Sequence, residues 1–149
     1  MKPVHKRIIT GSLILLLAVA GVVWYFFTEK FTDTAERKAD YAVNAVDIIK
    51  EFQQNDSLAN KKYTEKIISV RGIVSGIEAA DTTVNIKMSD TATGDYIIFA
   101  FQQQHLSDAK KLKEGELVSI KGSCSGGIYS QILETRYISF KRAALDSKN

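Results

Sequence analysis

The chain has 149 residues and a mass of 16.6 kDa, room for one modest domain and not for a multi-domain enzyme. Its formal charge of +3 comes from Lys2, Lys6 and Arg7; the remaining Lys and Arg are balanced by 17 Asp and Glu. That neutral body lacks the basic face of an electrostatic nucleic-acid binder, and one Cys with two His excludes a disulfide framework or a multi-ligand Cys/His metal centre.

Ile8 to Phe27 is a run of 20 residues without a charge. As a helix it spans about 30 Å, the thickness of a bilayer hydrocarbon core. Ala18-Val19-Ala20 ahead of Gly21 resembles a signal-peptidase site, but the apolar run continues to an aromatic belt, Trp24 to Phe27. The expected reading is therefore an uncleaved signal anchor over residues 8–27, preceded by a basic tail over residues 1–7. The positive-inside rule keeps that tail in the cytoplasm and exports the rest. The expected location is the bacterial cytoplasmic membrane, crossed once, with the C-terminal domain outside the cytoplasm. No Cys stands at the end of the run, so no lipid anchor is expected there. Residues 28–34 read as a connector and residues 35–149 as the domain.

Asp33-x-x-Glu36 predicts a helix start, with Asp33 as N-cap and Glu36 three positions on. Ala39, Ala42, Val46 and Ile49 continue it with a helical apolar stripe, through Phe52. Asn55-Asp56 ends that helix or caps a second one over residues 57–62. After Tyr63 the period changes to two. Five strands are expected: residues 68–74, 84–88, 96–101, 117–124 and 128–140. Tyr96 to Phe101 is apolar throughout and reads as covered on both faces. A short helix over residues 104–112 separates the third and fourth strands. Ser125-Gly126-Gly127 reads as the loop before the fifth. The fold class is thus mainly β with α: a membrane helix, then a helix packed on a five-stranded Greek-key barrel of the OB plan, with a short helix between strands three and four.

Three stretches carry a family resemblance: Lys61-Lys62-Tyr63, Val70-Arg71-Gly72-Ile73-Val74, and Leu112-Lys113-Glu114-Gly115-Glu116-Leu117-Val118-Ser119-Ile120-Lys121-Gly122, continued by Ser123 to Gly127. In this order they resemble the tRNA_anti-like family of small bacterial OB-fold proteins, from about Ala39 to Phe140. The resemblance implies the OB fold. It brings no catalytic residue, and the family name alone does not imply RNA binding.

The alternation places Arg71, Asn85, Lys87 and Tyr96 on the outer side of the first three strands. Lys121 and Tyr129 join them from the fourth strand and the loop after it. These six are the candidate ligand-binding residues. His105 reads as exposed or packed on its helix, and Cys124 as a small buried hydrophobe. No catalytic group, metal site or cofactor is expected. The expected function is a non-enzymatic, membrane-anchored OB-fold binding module for a protein, peptide or saccharide, with an envelope protein or peptide as partner. Nucleic acid is disfavoured as partner; single-stranded, tRNA-like nucleic acid binding is the alternative function.

Overall fold

The computed structural model describes residues 3–28 and 32–147, and the chain divides into two units, residues 1–32 and 33–149. The first unit is one helix, α1 (Pro3–Thr28), whose stretch Ile9–Phe27 is long and apolar enough to cross a membrane. Its 26 residues give it a length of about 39 Å.

The second unit opens with a turn, not a helix. The Asp33 carboxylate accepts the Ala35 N–H at 2.9 Å, a local cap that leads nowhere. The backbone N–H of Asp40 donates to the Ile67 carbonyl, and its carboxylate accepts the Ile67 N–H. These two bonds lay the next residues beside a strand 27 positions away. Hence Tyr41–Asn44 forms strand β1, parallel to β2 (Ile67–Ile73). The helix expected from Asp33 begins only at Ala45: α2 (Ala45–Gln54) buries Ala45, Ile48, Ile49 and Phe52. Those positions follow i, i+3, i+4, i+7, one helical face, and Val46 of the expected stripe faces outward. α3 (Asp56–Tyr63) starts as expected, with the Asn55 side chain accepting the Leu58 N–H.

The sheet has seven strands, in the order β1-β2-β6-β7-β5-β4-β3, with β3 (Gly76–Ala79), β4 (Val84–Ser89), β5 (Tyr96–Phe101), β6 (Leu117–Ser130) and β7 (Thr135–Leu145). The expected count of five is corrected in two ways. β1 is additional, and the first expected strand continues past Val74 and Ser75 into β3. β2 pairs with β6 while β3 pairs with β4, so this bent strand touches both ends of the sheet. A 3-10 turn (Gln103–His105) and a short helix, α4 (Leu106–Ala109), stand between β5 and β6, as the OB plan requires.

The last hairpin also differs from expectation. Ser125-Gly126-Gly127 is not a loop but a bulge within β6, with Gly126 at φ +103°. The turn lies at residues 131–134. Asn60 of α3 stabilises the bulge, its amide accepting the Gly127 N–H and donating to the Gly127 carbonyl. A Cβ on Gly127 would lie 2.5 Å from the Phe52 ring, so only glycine lets α2 seat here.

The core joins α2, α3 and the inner faces of the strands through Phe52, Tyr63, Phe99, Phe140 and the surrounding Ile and Val side chains. Gly122 is buried in β6, where a Cβ would lie 3.3 Å from that of Phe140. Gly122→Val is expected to lower stability by about 1–3 kcal/mol through overpacking, measured by chemical denaturation. β5 corrects one more expectation. Ile97, Phe99 and Phe101 are buried while Tyr96, Ile98 and Ala100 alternate outward, so only one face is covered.

Candidate binding face

The outer side of β4, β5 and β7 forms a continuous face. Because β-strand side chains alternate, the core residues Ile86, Ile97 and Ile138 force their neighbours outward. Lys87 lies opposite Ile98, Tyr96 opposite Tyr137 and Ile98 opposite Ser139. The Tyr96 and Tyr137 rings stack 5.9 Å apart at 18°, both half-buried. The Lys87 ammonium stands 5.2 Å from the centre of the Tyr96 ring and pairs with the Glu78 carboxylate. The hydrogen bond from Lys87 holds the Glu78 carboxyl below its ordinary range. Asn85 lies opposite Glu78 on the same face. The face is aromatic and polar, with the Lys87 cation already neutralised by Glu78. The turn after β3 bounds its Asn85 end, and the turn over residues 131–134 bounds its tyrosine end.

Of the six candidate residues, Asn85, Lys87 and Tyr96 meet on this face. The others do not. Lys121 is 4 % exposed. Its ammonium lies 3.4 Å from the Asp146 carboxylate and donates to the Ala35 and Arg37 carbonyls. It points to the outer side of the sheet, as its parity predicts, but the segment holding Ala35 and Arg37 covers it, so it is a structural cation. Tyr129 belongs to the other side of β6, where the Arg136 guanidinium lies 5.7 Å from its ring. Arg136 is itself held by Asp56 through two bonds of 3.1 Å. Arg71 lies on β2, opposite Asn44 and Ser119, on a strand that is not a sheet neighbour of β4, β5 or β7.

Tyr137 is the residue the sequence reading missed. Its pairing with Tyr96 depends on the parallel β5–β7 register, a long-range contact that no local pattern shows. Ile128 pairs with Tyr137 and stands 60 % exposed, extending the face onto β6.

Among the described residues no group of three His, Cys, Asp or Glu could hold a metal. His105 neither floats free nor merely packs. Its Nε2 lies 2.7 and 2.9 Å from the two Asp33 carboxylate oxygens. Burial raises the Asp33 pKa, but the bonds from His105 and the Ala35 N–H outweigh it and leave the carboxyl below its ordinary value. A lowered folded-state pKa stabilises above the unfolded pKa, and that stabilisation is lost as pH falls through the folded value. Acidification below about pH 4 is therefore expected to release the segment from Asp33 to Arg37. Faster hydrogen exchange at Ala35 would report it, and protection unchanged down to acid unfolding would contradict it. Cys124 is fully buried, and burial pushes its thiol up to about 11.

This combination of strand order and inserted helix defines an OB-like fold. The chain belongs to the tRNA_anti-like family, whose model matches residues 1–134 and so includes α1 as well as the strands through β6. A structure from Klebsiella pneumoniae subsp. pneumoniae, described provisionally as a nucleic acid-binding lipoprotein, is similar at a TM-score of 0.55 and 18% identity, over 69% of this chain and 89% of that one. Replication protein A bound to single-stranded DNA matches at a TM-score of 0.33 and 16% identity, over 53% of this chain and 56% of that one. Asparaginyl-tRNA synthetase of Pyrococcus horikoshii matches at a TM-score of 0.40 and 13% identity, over 56% of this chain and 20% of that one. At such identities the likeness is one of fold. The description of the Klebsiella structure does not fit the expectation that disfavoured nucleic acid as a partner. No curated protein sequence matches the chain.

Proposed function

We propose that this chain is a non-enzymatic binding module, held in a membrane by α1 and displayed outside the cytoplasm, that takes its ligand on the β4–β5–β7 face. The observation that carries this reading is the Tyr96–Tyr137 stack, half-buried on a sheet whose other side is closed core. Two flat amphipathic rings offer large contact area at low entropic cost. Because Glu78 neutralises Lys87, the face favours ligands without a dense charge: a protein or peptide surface, or a saccharide. An envelope protein or peptide has the required chemistry.

A second reading, single-stranded nucleic acid, is favoured by the same tyrosines, which could stack bases, and by the description of the Klebsiella relative. Salt separates the two. A strand neutralised by one or two cations has a log–log salt slope of about −1 and is held mainly by stacking. Fluorescence anisotropy of labelled oligonucleotides with the full chain at ~150 mM salt, where screening reaches ~8 Å, is expected to show no submicromolar binding. Submicromolar binding lost in Tyr96→Ala would establish the nucleic-acid reading instead. The membrane placement has its own test. With the inner membrane intact, protease added from outside should digest the barrel, while α1 stays in the carbonate-extracted pellet. Full protection of the barrel would invert the orientation.

A further inference from the structure

We propose that a groove beside Arg71, separate from the tyrosine face, binds a small apolar zwitterion: a free amino acid with an aliphatic side chain, or a short peptide of the same chemistry. The groove is a cavity of about 330 Å³ between the start of α2 and the facing parts of β2 and β4. Gly72 and Met88 line it beneath Val46 and Ile73, which are 42 % and 60 % exposed. A Cβ on Gly72 would lie 2.7 Å from both the Ala45 Cβ and the Met88 sulfur, so glycine is required for these walls to meet. The cavity is at the lower end of the size range of ligand sites, and its lining is mainly apolar with a few polar groups at the rim.

The rim supplies two opposite charges. Arg71 is exposed on the β2 side and has no ion-pair partner among the described residues. It also borders a second hollow of about 310 Å³, where Asn44 and Ser119 are its neighbours, so its guanidinium stands over open space on both sides. Asp90 lines the groove from the turn after β4. Its carboxylate accepts the Ala92 N–H at 3.0 Å and the Thr93 hydroxyl at 3.2 Å, which fixes its position without cancelling its charge. Asp47, the other nearby carboxylate, accepts the Asn44 amide. A guanidinium on one wall, a carboxylate on the other and aliphatic surface between them complement a molecule with a carboxylate, an ammonium and an apolar body. Guanidinium–carboxylate pairing is the strongest of these contacts, being charge-assisted and bidentate.

The test uses the full chain in lipid nanodiscs, with the Ile and Met methyl groups labelled for NMR. L-leucine and L-leucyl-L-leucine are titrated separately, which distinguishes the free amino acid from the peptide source. At least one is expected to shift the Ile73 and Met88 signals saturably in the millimolar range or below. Arg71→Gln should weaken that binding at least about tenfold, ~1.4 kcal/mol, while Tyr96→Ala leaves it unchanged, which separates this site from the tyrosine face. Octanoate, which lacks the ammonium, should bind more weakly than the zwitterion, and Asp90→Asn should narrow that difference. Absence of saturable shifts with both ligands, wild-type affinity in Arg71→Gln, or octanoate binding as tightly as the zwitterion would overturn the proposal.

Discussion

Lys121→Ala is expected to cost about 3–5 kcal/mol of stability, the cost of breaking a buried ion pair by removing one partner. The ammonium joins three groups directly. It offsets the Asp146 carboxylate at 3.4 Å, and it donates to the carbonyls of Ala35 and Arg37, while Asp146 in turn accepts the Ser69 hydroxyl at 2.6 Å. Without it, a carboxylate 9 % exposed loses this ion pair and the segment before β1 loses two hydrogen bonds to the sheet. Chemical denaturation of the full chain would measure the loss, and limited proteolysis should show earlier cleavage between Asp33 and Asp40. Replacing both partners, Lys121→Met with Asp146→Leu, should recover most of it, since apolar pairs of similar volume are often as stable as the ions they replace. An unchanged midpoint for Lys121→Ala would mean that the residue is an exposed cation on the outer sheet.

Phe52→Ala should cost a comparable amount, about 3–5 kcal/mol, through the cavity left by a ring that is fully buried. Phe52 stacks on Tyr63 at 6.1 Å and fills the space that Gly127 leaves open. The same contact predicts a coupling. Gly127→Val alone forces a branched side chain into the ring and should destabilise by about 1–3 kcal/mol. Combined with Phe52→Leu, it should cost less than the two single changes added together. Additive costs in the double-mutant cycle would show that α2 does not rest on the β6 bulge.

Much of this arrangement can be read from the chain because it rests on local periodicity. The alternation in Val84–Met88 places Lys87 and Asn85 outward without any knowledge of partners, and Asn55 caps α3 through a bond three residues long. The misreadings share a cause: the deciding contacts are long-range. Tyr41 to Asn44 fits a helical stripe as readily as a strand until Asp40 meets Ile67. Gly126-Gly127 has loop composition, yet both glycines are required by Asn60 and Phe52 pressing on the backbone. Lys121 has outward parity, and only the cover provided by the segment holding Ala35 and Arg37 removes it from the surface. Tyr137 joins the face through the parallel pairing of β7 with β5, two strands distant in sequence, and the local pattern does not show that pairing.

The central claim, that the tyrosine face is the working surface, is tested most directly by site-specific photocrosslinking of the full chain in cell membranes. Benzoylphenylalanine at Ile98, between Tyr96 and Ala100 on β5, should yield a discrete adduct, lost when Tyr96 and Tyr137 are both changed to alanine in a chain that retains its circular dichroism spectrum. The same probe at Lys50, on the exposed side of α2, should yield none. An adduct of equal yield from Lys50, or an Ile98 adduct that survives loss of both tyrosines, would contradict it.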